Sequence, residues 1–510
     1  MIITFGILAA FFLLVIVVLQ ASFRKDRNFT EYAVGGRSFS GAYQAMSFLN
    51  TWYPGVTFVA FAGLAASAGV IGFYLLSYSL LTIVLMYLMA RRVWMWGQAF
   101  DLRTQPDLYA LRYNSHHIRA LGGLIGIVST FPWLVLGMKT LGVLFQAMSL
   151  DKMGFAFAVI LGVLVLVVRQ FWTIRMGMRG VVISDMVQGI AAYVMGTIII
   201  VAMLIWIVAF KHVSFSNIDQ KLLVIPGLGS KAGPFYLFSL VLTGAVGGWC
   251  WPSVFVRLFT ANGVNSVKRA AVYAIPLSLI FCALLLCLGL LASALPGVAK
   301  NPNQVWFIVC HQAGGLVLMA LAGVAVMAAT IGSIDGGIQA LGAQIANDLL
   351  GNYTKLAHKH LVGTAKIAML ILTLLAAWVA CQKIAELFML AVIAYQGIVQ
   401  LAVPQFLGVF WKRGNKQGAI AGLVVGFVIA VVLEVRNPGP ITMLGGLTSG
   451  VVALAFNLAI YVACAYLFPK SEEEKTRVDQ LFLMTRIGAP ERADQTLPSE
   501  VSSKIGAGIV

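Results

Sequence analysis

Two short runs place proline and glycine inside long apolar stretches: Asn50-Thr51-Trp52-Tyr53-Pro54-Gly55 and Gly247-Gly248-Trp249-Cys250-Trp251-Pro252-Ser253. Proline has no N–H, so Pro54 leaves the carbonyl of Asn50, and Pro252 that of Gly248, without a helical donor. A carbonyl freed in hydrocarbon persists where it lines a protein cavity or binds something. Paired broken segments in two halves of a chain point to the solute site of a secondary transporter. The plainer alternative is two proline kinks whose carbonyls neighbouring helices satisfy.

Charge inside apolar stretches is the second chemical signal. Asp185 and Asp335 are the acidic residues set deep in such stretches, and Lys139 is the basic one. Ionisable groups are costly in a bilayer, so each is expected to face the protein interior or water and to mark a site. The aspartates fall toward the inner side and Lys139 toward the outer half of its span, so a simple Lys139–aspartate pair must bridge that depth. Around Asp335, helical spacing puts Ala329, Gly332, Ser333 and Gly336 on one face, with Asp335 on its flank. A face of small residues serves close helix packing. With the free Asn50 carbonyl it also suits an oxygen-lined cage for a hard cation.

The elements that position these residues are membrane helices. With 510 residues, 60% hydrophobic and 10% charged, and a mean hydropathy of +0.92, the chain reads as an all-α polytopic membrane protein. Thirteen spans are expected, near 2–22, 41–69, 71–94, 118–149, 153–171, 180–209, 233–259, 269–296, 313–346, 362–381, 384–411, 417–435 and 442–468. The first reads as a retained helix, because Arg24, Lys25 and Arg27 follow its apolar run. Basic residues crowd alternate loops from there on, which predicts the N-terminus outside and the C-terminus in the cytoplasm of a cell (inner) membrane. The net charge of +17 is accounted for by that bias. It argues against a nucleic-acid partner, which needs one basic soluble surface, and leaves the lipid bilayer as the macroscopic partner. The polar tail 469–510 reads as a solvated stretch with its Ser-Glu-Glu-Glu run. The six cysteines lack metal or redox spacing. Phosphate loops, metal-ligand histidine pairs and nucleophile elbows are missing too, so an enzyme is not expected and no cofactor is implied.

The chain resembles the sodium:solute symporter family, in particular its bacterial monocarboxylate-type members. The resemblance rests on Phe29-Thr30-Glu31-Tyr32-Ala33-Val34-Gly35-Gly36-Arg37-Ser38, on Ser184-Asp185-Met186-Val187-Gln188-Gly189, on the Ala-Ala…Ser-x-Asp run ending at Asp335, and on Phe410-Trp411-Lys412-Arg413 with Gly418-Ala419. The segment Phe131–Gly142 around Lys139 carries the monocarboxylate likeness. The resemblance implies a LeuT-type fold of two inverted five-helix repeats, each with a broken first helix. The expected division is a peripheral helix and loop (1–40), a first repeat (41–209), an external loop and second repeat (210–411), two peripheral helices (412–468) and a tail (469–510).

Sodium-coupled symport of a small organic anion by alternating access is the function so implied. The ion site would use main-chain oxygens of Asn50, Tyr53 and Ala329 and the hydroxyl of Ser333. Gly332 stands where a second hydroxyl is usual, so Gly332→Ser is expected to tighten sodium activation. Some members hold a second cation near the positions of Asp185, Asp335 and Gly336. Asp185 and Asp335 would then assist sodium, or carry protons if the coupling ion is H⁺. Lys139 would face the central cavity and hold the substrate carboxylate. Thr51, Trp52, Tyr53, Trp249 and Trp251 would contact the solute, with Gln396 as a further polar candidate. A transporter-like membrane sensor is the reading from another class. The oligomeric state is not specified by any of this.

Overall fold

A bilayer-embedded backbone must satisfy its own polar groups, which leaves helices or closed barrels. The computed structural model describes residues 1–24, 28–228, 230, 233–298, 300–354, 360–382 and 394–486. These are helical nearly throughout; the strands among them are the two-residue pair Pro440–Ile441 and Leu447–Thr448. Nine described helices are long and apolar enough to cross a membrane, or ten when the bent pair Pro234–Cys250 and Pro252–Thr260 is taken as one. Two of the runs each cover more than one expected span. Thr57–Ala99 bends around Gly69 (φ +70°), and Phe155–Phe210 breaks at Gly177 (φ +56°), where a Cβ would strike the Tyr32 carbonyl oxygen. Much of the expected span 384–411 lies outside the described residues.

Four helices carry the site: α1 (Gly41–Trp52), α2 (His116–Met148), α3 (Phe155–Gly189) and α4 (Val305–Gln344). From Met319 to Gln344, α4 is buried almost residue by residue, so it forms the central post against which the other three pack. Its first turns, before Gly314 and Gly315 (φ +62°), are a separate segment.

Both expected breaks exist, slightly displaced. α1 runs through Trp52, and Tyr53 N–H makes the last helical bond to Leu49 O (2.9 Å). The chain then opens at Tyr53 and Pro54 and re-forms from Thr57. Asn50 and Thr51, expected to be unwound, are helical. The cause is local: Pro54 removes one donor but Tyr53 still caps the turn before it. Gly55 has to be glycine, because a Cβ there would overlap Thr330 Oγ1 on α4. In the second break the turn Gly248–Cys250 precedes an extended Trp251 (φ −70°, ψ 123°), and the helix resumes at Pro252 with a 60° bend. Its Trp249 carbonyl accepts from Gln105 Nε2 (3.2 Å) and Gln405 Nε2 (2.9 Å).

The tail departs from a solvated stretch. Ser471 caps a helix, α5 (Glu472–Met484), through Glu474 N–H (3.3 Å). The exposed side of α5 carries Lys475, Thr476, Asp479 and Gln480 beyond a glutamate-rich first turn; the other buries Val478, Leu481 and Phe482. Trp96 Nε1 donates to Leu481 O (2.8 Å), and Arg477 donates to the carbonyls of Leu111 (2.5 Å) and Arg112 (2.9 Å).

Candidate functional site

The two breaks and α2 and α4 enclose a small central cavity of about 30 Å³, roughly one water. From α2 come Thr130, Trp133, Leu134 and Gly137, an i, i+3, i+4, i+7 stripe; from α4 come Thr330, Ser333, Ile334 and Gly337, the same stripe. The first break adds Thr51, Trp52 and Pro54, and the second adds Trp251 and Ser253. Trp133, Trp251 and Tyr395 form a three-ring cluster: Trp133–Trp251 centroids are 5.6 Å apart, and Trp251 meets Tyr395 edge-on at 5.2 Å. The wall is therefore aromatic with hydroxyls, and among the described residues it contains no lysine, arginine or carboxylate.

Directly behind the wall lies a charged cluster with no solvent exposure. Asp185 Oδ2 accepts from Ser47 Oγ (2.6 Å) and pairs with Arg257 Nη2 (3.3 Å), while Oδ1 accepts from Asn50 Nδ2 (2.9 Å). Arg257 also donates to Thr51 Oγ1 (2.8 Å). One turn along, Asp335 pairs with Arg169 (3.1 Å) and accepts from Gln170 Nε2 (2.6 Å). Arg169 is anchored in turn on Thr173 and Ser184 (2.9 and 2.8 Å).

Cluster and cavity meet at two residues. Thr51 and Ser333 both line the cavity, and Ser333 Oγ lies a long 3.5 Å from Thr51 O. Beside them the Asn50 side-chain oxygen is buried with no hydrogen-bond partner among the described residues. Hard cations take hydroxyl, carbonyl and amide oxygens of this kind.

The sodium:solute symporter family model matches residues 32–426. The chain belongs to that family. It is 23% identical over 470 residues to the uncharacterized symporter YodF of Bacillus subtilis, covering 89% of this chain and 90% of the relative. It is 22% identical over 471 residues to a monocarboxylic acid transporter of Corynebacterium glutamicum, covering 86% and 84%. Its fold matches that of a Na⁺-coupled sialic acid symporter solved substrate-bound and outward-open, with a TM-score of 0.73 at 16% identity over 92% of this chain and 98% of the other. The fold is LeuT-type, the protein is a Na⁺-coupled solute symporter of the membrane, and it is not an enzyme.

In this symporter the residues expected from sequence separate into three groups. Thr51, Trp52 and Trp251 line the cavity, as does Ser333 from the expected ion site. Asp185 and Asp335 lie behind it, each facing an arginine, and Ala329 is buried one turn before Ser333 on α4. Lys139, Tyr53, Trp249 and Gln396 do not line the cavity. Lys139 lies two residues past Gly137 and so points about 200° around α2, where its Nζ donates to Gln382 O (3.1 Å). The Tyr53 carbonyl, expected to hold sodium, accepts from Tyr193 OH (2.5 Å). Trp249 is fully buried; it stacks on Phe48 (5.7 Å) and donates to Thr82 O (2.8 Å). The Gln396 amide oxygen accepts from Gly450 N–H (2.7 Å), starting another helix.

One expectation about charge is overturned. Lys139 is not the one basic residue hidden from solvent, because Arg112, Arg169 and Arg257 are buried more completely. Arg169 and Arg257 fall near the ends of the expected spans 153–171 and 233–259. The signal that finds them is the pair of aspartates, since a buried carboxylate needs a partner. The missing hydroxyl at Gly332 also has a structural cause. A Cβ there would collide with Asn50 Nδ2 and come 3.0 Å from Asp185 Oδ1. The Asn50 amide fills the space a serine would need.

Proposed function

We propose that this symporter carries a small monocarboxylate, one cation being held beside the cavity by the Asn50 amide oxygen, Ser333 Oγ and main-chain oxygen of Asn50, Thr51 and Ala329. The observation that carries this reading is the sharing of Thr51 and Ser333 between cavity wall and oxygen cluster. A wall without a cation of its own attracts a carboxylate poorly. Sodium at its edge supplies the missing positive charge, and each ligand then raises the affinity of the other, which is what coupling requires. The indoles of Trp52 and Trp251 take the apolar part of the solute, and the hydroxyls of Thr51 and Ser253 its polar part. The likeness to a monocarboxylic acid transporter and to a sialic acid symporter supports an acid as solute. Ligand sites for such solutes commonly offer ~300–1,000 Å³, so about 30 Å³ corresponds to a conformation in which the cavity is narrowed. The crowding of basic residues in alternate loops supports a cytoplasmic location for the C-terminus and α5.

The test is uptake into proteoliposomes of a panel of labelled monocarboxylic acids, amino acids and sugars under a sodium gradient alone or a pH gradient alone. Sodium-driven accumulation of one or more acids is expected. Concentrative uptake of acids in sodium-free medium would defeat sodium coupling in favour of protons. Uptake confined to sugars would defeat the acid reading.

A further inference from the structure

The region around Asp185, Asp335 and Gly336 is where the family resemblance allows a second cation, and the residues present do not fit one. Two carboxylates face two guanidiniums there, so the cluster is formally neutral and holds no uncompensated negative charge for an added ion. Gly336 offers no side-chain oxygen. A Cβ at that position would lie 2.8 Å from Arg257 Nη2, so the guanidinium itself occupies the space beside it. The Thr51 hydroxyl, a further oxygen within reach, accepts from Arg257 (2.8 Å) and donates to Ser47 O (2.8 Å). Arg257 Nη1 lies 2.6 Å from Met178 Sδ, and sulfur is a poor ligand for a hard cation.

Arg257 comes from the segment Arg257–Thr260, just past the second break. Its side chain thus ties the second broken helix to Thr51 on α1 and Asp185 on α3. We infer that Arg257 is a tethered internal cation, standing where a second coupling ion would otherwise bind, so that this symporter moves one sodium ion per solute. The inference rests on the sodium-coupled reading above. A covalently held charge stays in place through the cycle, and its positive charge cannot be released on either side of the membrane. With a monocarboxylate as solute, one sodium makes the transported unit electroneutral.

The deciding measurement is direct binding of radioactive sodium to the purified protein in a scintillation proximity assay, calibrated per folded chain. It needs no knowledge of the solute, so it fails or succeeds separately from the choice of substrate. One sodium per wild-type chain is expected, and two would overturn the inference. Arg257→Ser opens the space and leaves Asp185 unpaired, so it is expected to bind two, returning to one in Arg257→Ser with Asp185→Asn. A folded Arg257→Ser protein that binds one sodium would show that Arg257 fills no cation's place. Arg257→Lys keeps the charge and is expected to bind one, which maintains the test if the serine variant does not fold; two sodium ions in the lysine variant would overturn it. Imposing a potassium diffusion potential on proteoliposomes tests the solute arm. Monocarboxylate uptake unchanged by the potential supports a ratio of one to one, and uptake driven by an inside-negative potential overturns it.

Discussion

The cavity wall and the charged cluster behind it share α1 and α4 yet are built from opposite materials. On α4, Thr330, Ser333, Ile334 and Gly337 face the cavity, while Gly332 and Asp335 face Asn50 and Arg169. One helical step therefore separates neutral hydroxyl and aromatic surface from fully buried charge. Every carboxylate of the cluster already has its guanidinium, whereas the wall is neutral. Position on the helix, more than residue type, decides whether a side chain meets the solute or supports the residues that do.

The sharpest way to break this contrast is to leave one buried charge alone. Arg169→Ala or Asp335→Ala is expected to cost ~3–5 kcal/mol, as for other buried pairs, seen as a large fall in thermal unfolding temperature in detergent. Replacing both, as Arg169→Met with Asp335→Leu, is expected to recover most of the loss. A single variant as stable as the parent would mean that the pair is not buried as described.

Next in size is Gly332→Ser. Counting hydroxyls predicts tighter sodium activation, but the structure predicts the reverse. The new Cβ displaces the Asn50 amide and breaks its bond to Asp185, a charge-assisted contact of ~1.5–3 kcal/mol. Half-activation by sodium is expected to rise roughly tenfold or more, read from uptake against sodium concentration. Ser333→Ala, which removes one hydroxyl of the proposed cation site, is expected to weaken sodium activation about two- to tenfold, in line with ~0.5–1.5 kcal/mol for a single contact. The smallest effect falls on Lys139. Because it lies off the cavity face, Lys139→Met is expected to change the solute half-saturation less than about twofold, the scale of a substitution away from the site. Abolished uptake in a folded Lys139→Met protein would restore it as the anchor.

How much of this was legible in the sequence differs between the two regions. The breaks announced themselves because proline and glycine act locally through a missing N–H and a missing Cβ. The apolar runs announced most helices for the same reason. The cluster did not, because Arg169 and Arg257 sit near span ends, where arginines usually reach water, and only packing turns them inward. Lys139 misled for the complementary reason. Depth in the bilayer can be counted along a chain, but the direction a side chain faces needs the phase of the helix relative to its neighbours, which here is set by the Gly137 contact with Ile334. The Asn50 amide standing in the space beside Gly332 is likewise a contact between distant segments.

The docking of α5 has a consequence for biogenesis. Its partners Trp96, Leu111 and Arg112 are synthesised hundreds of residues before Leu481 and Arg477. During translation the face that α5 covers waits uncapped, and Trp96, fully buried once α5 is docked, is without Leu481 and Phe482 until that later segment is made. The helix thus caps that face only after every described membrane-crossing helix has been made. A chain halted just before Glu472 would carry every described membrane-crossing helix and both breaks, yet leave the face of Trp96, Leu111 and Arg112 without its cover.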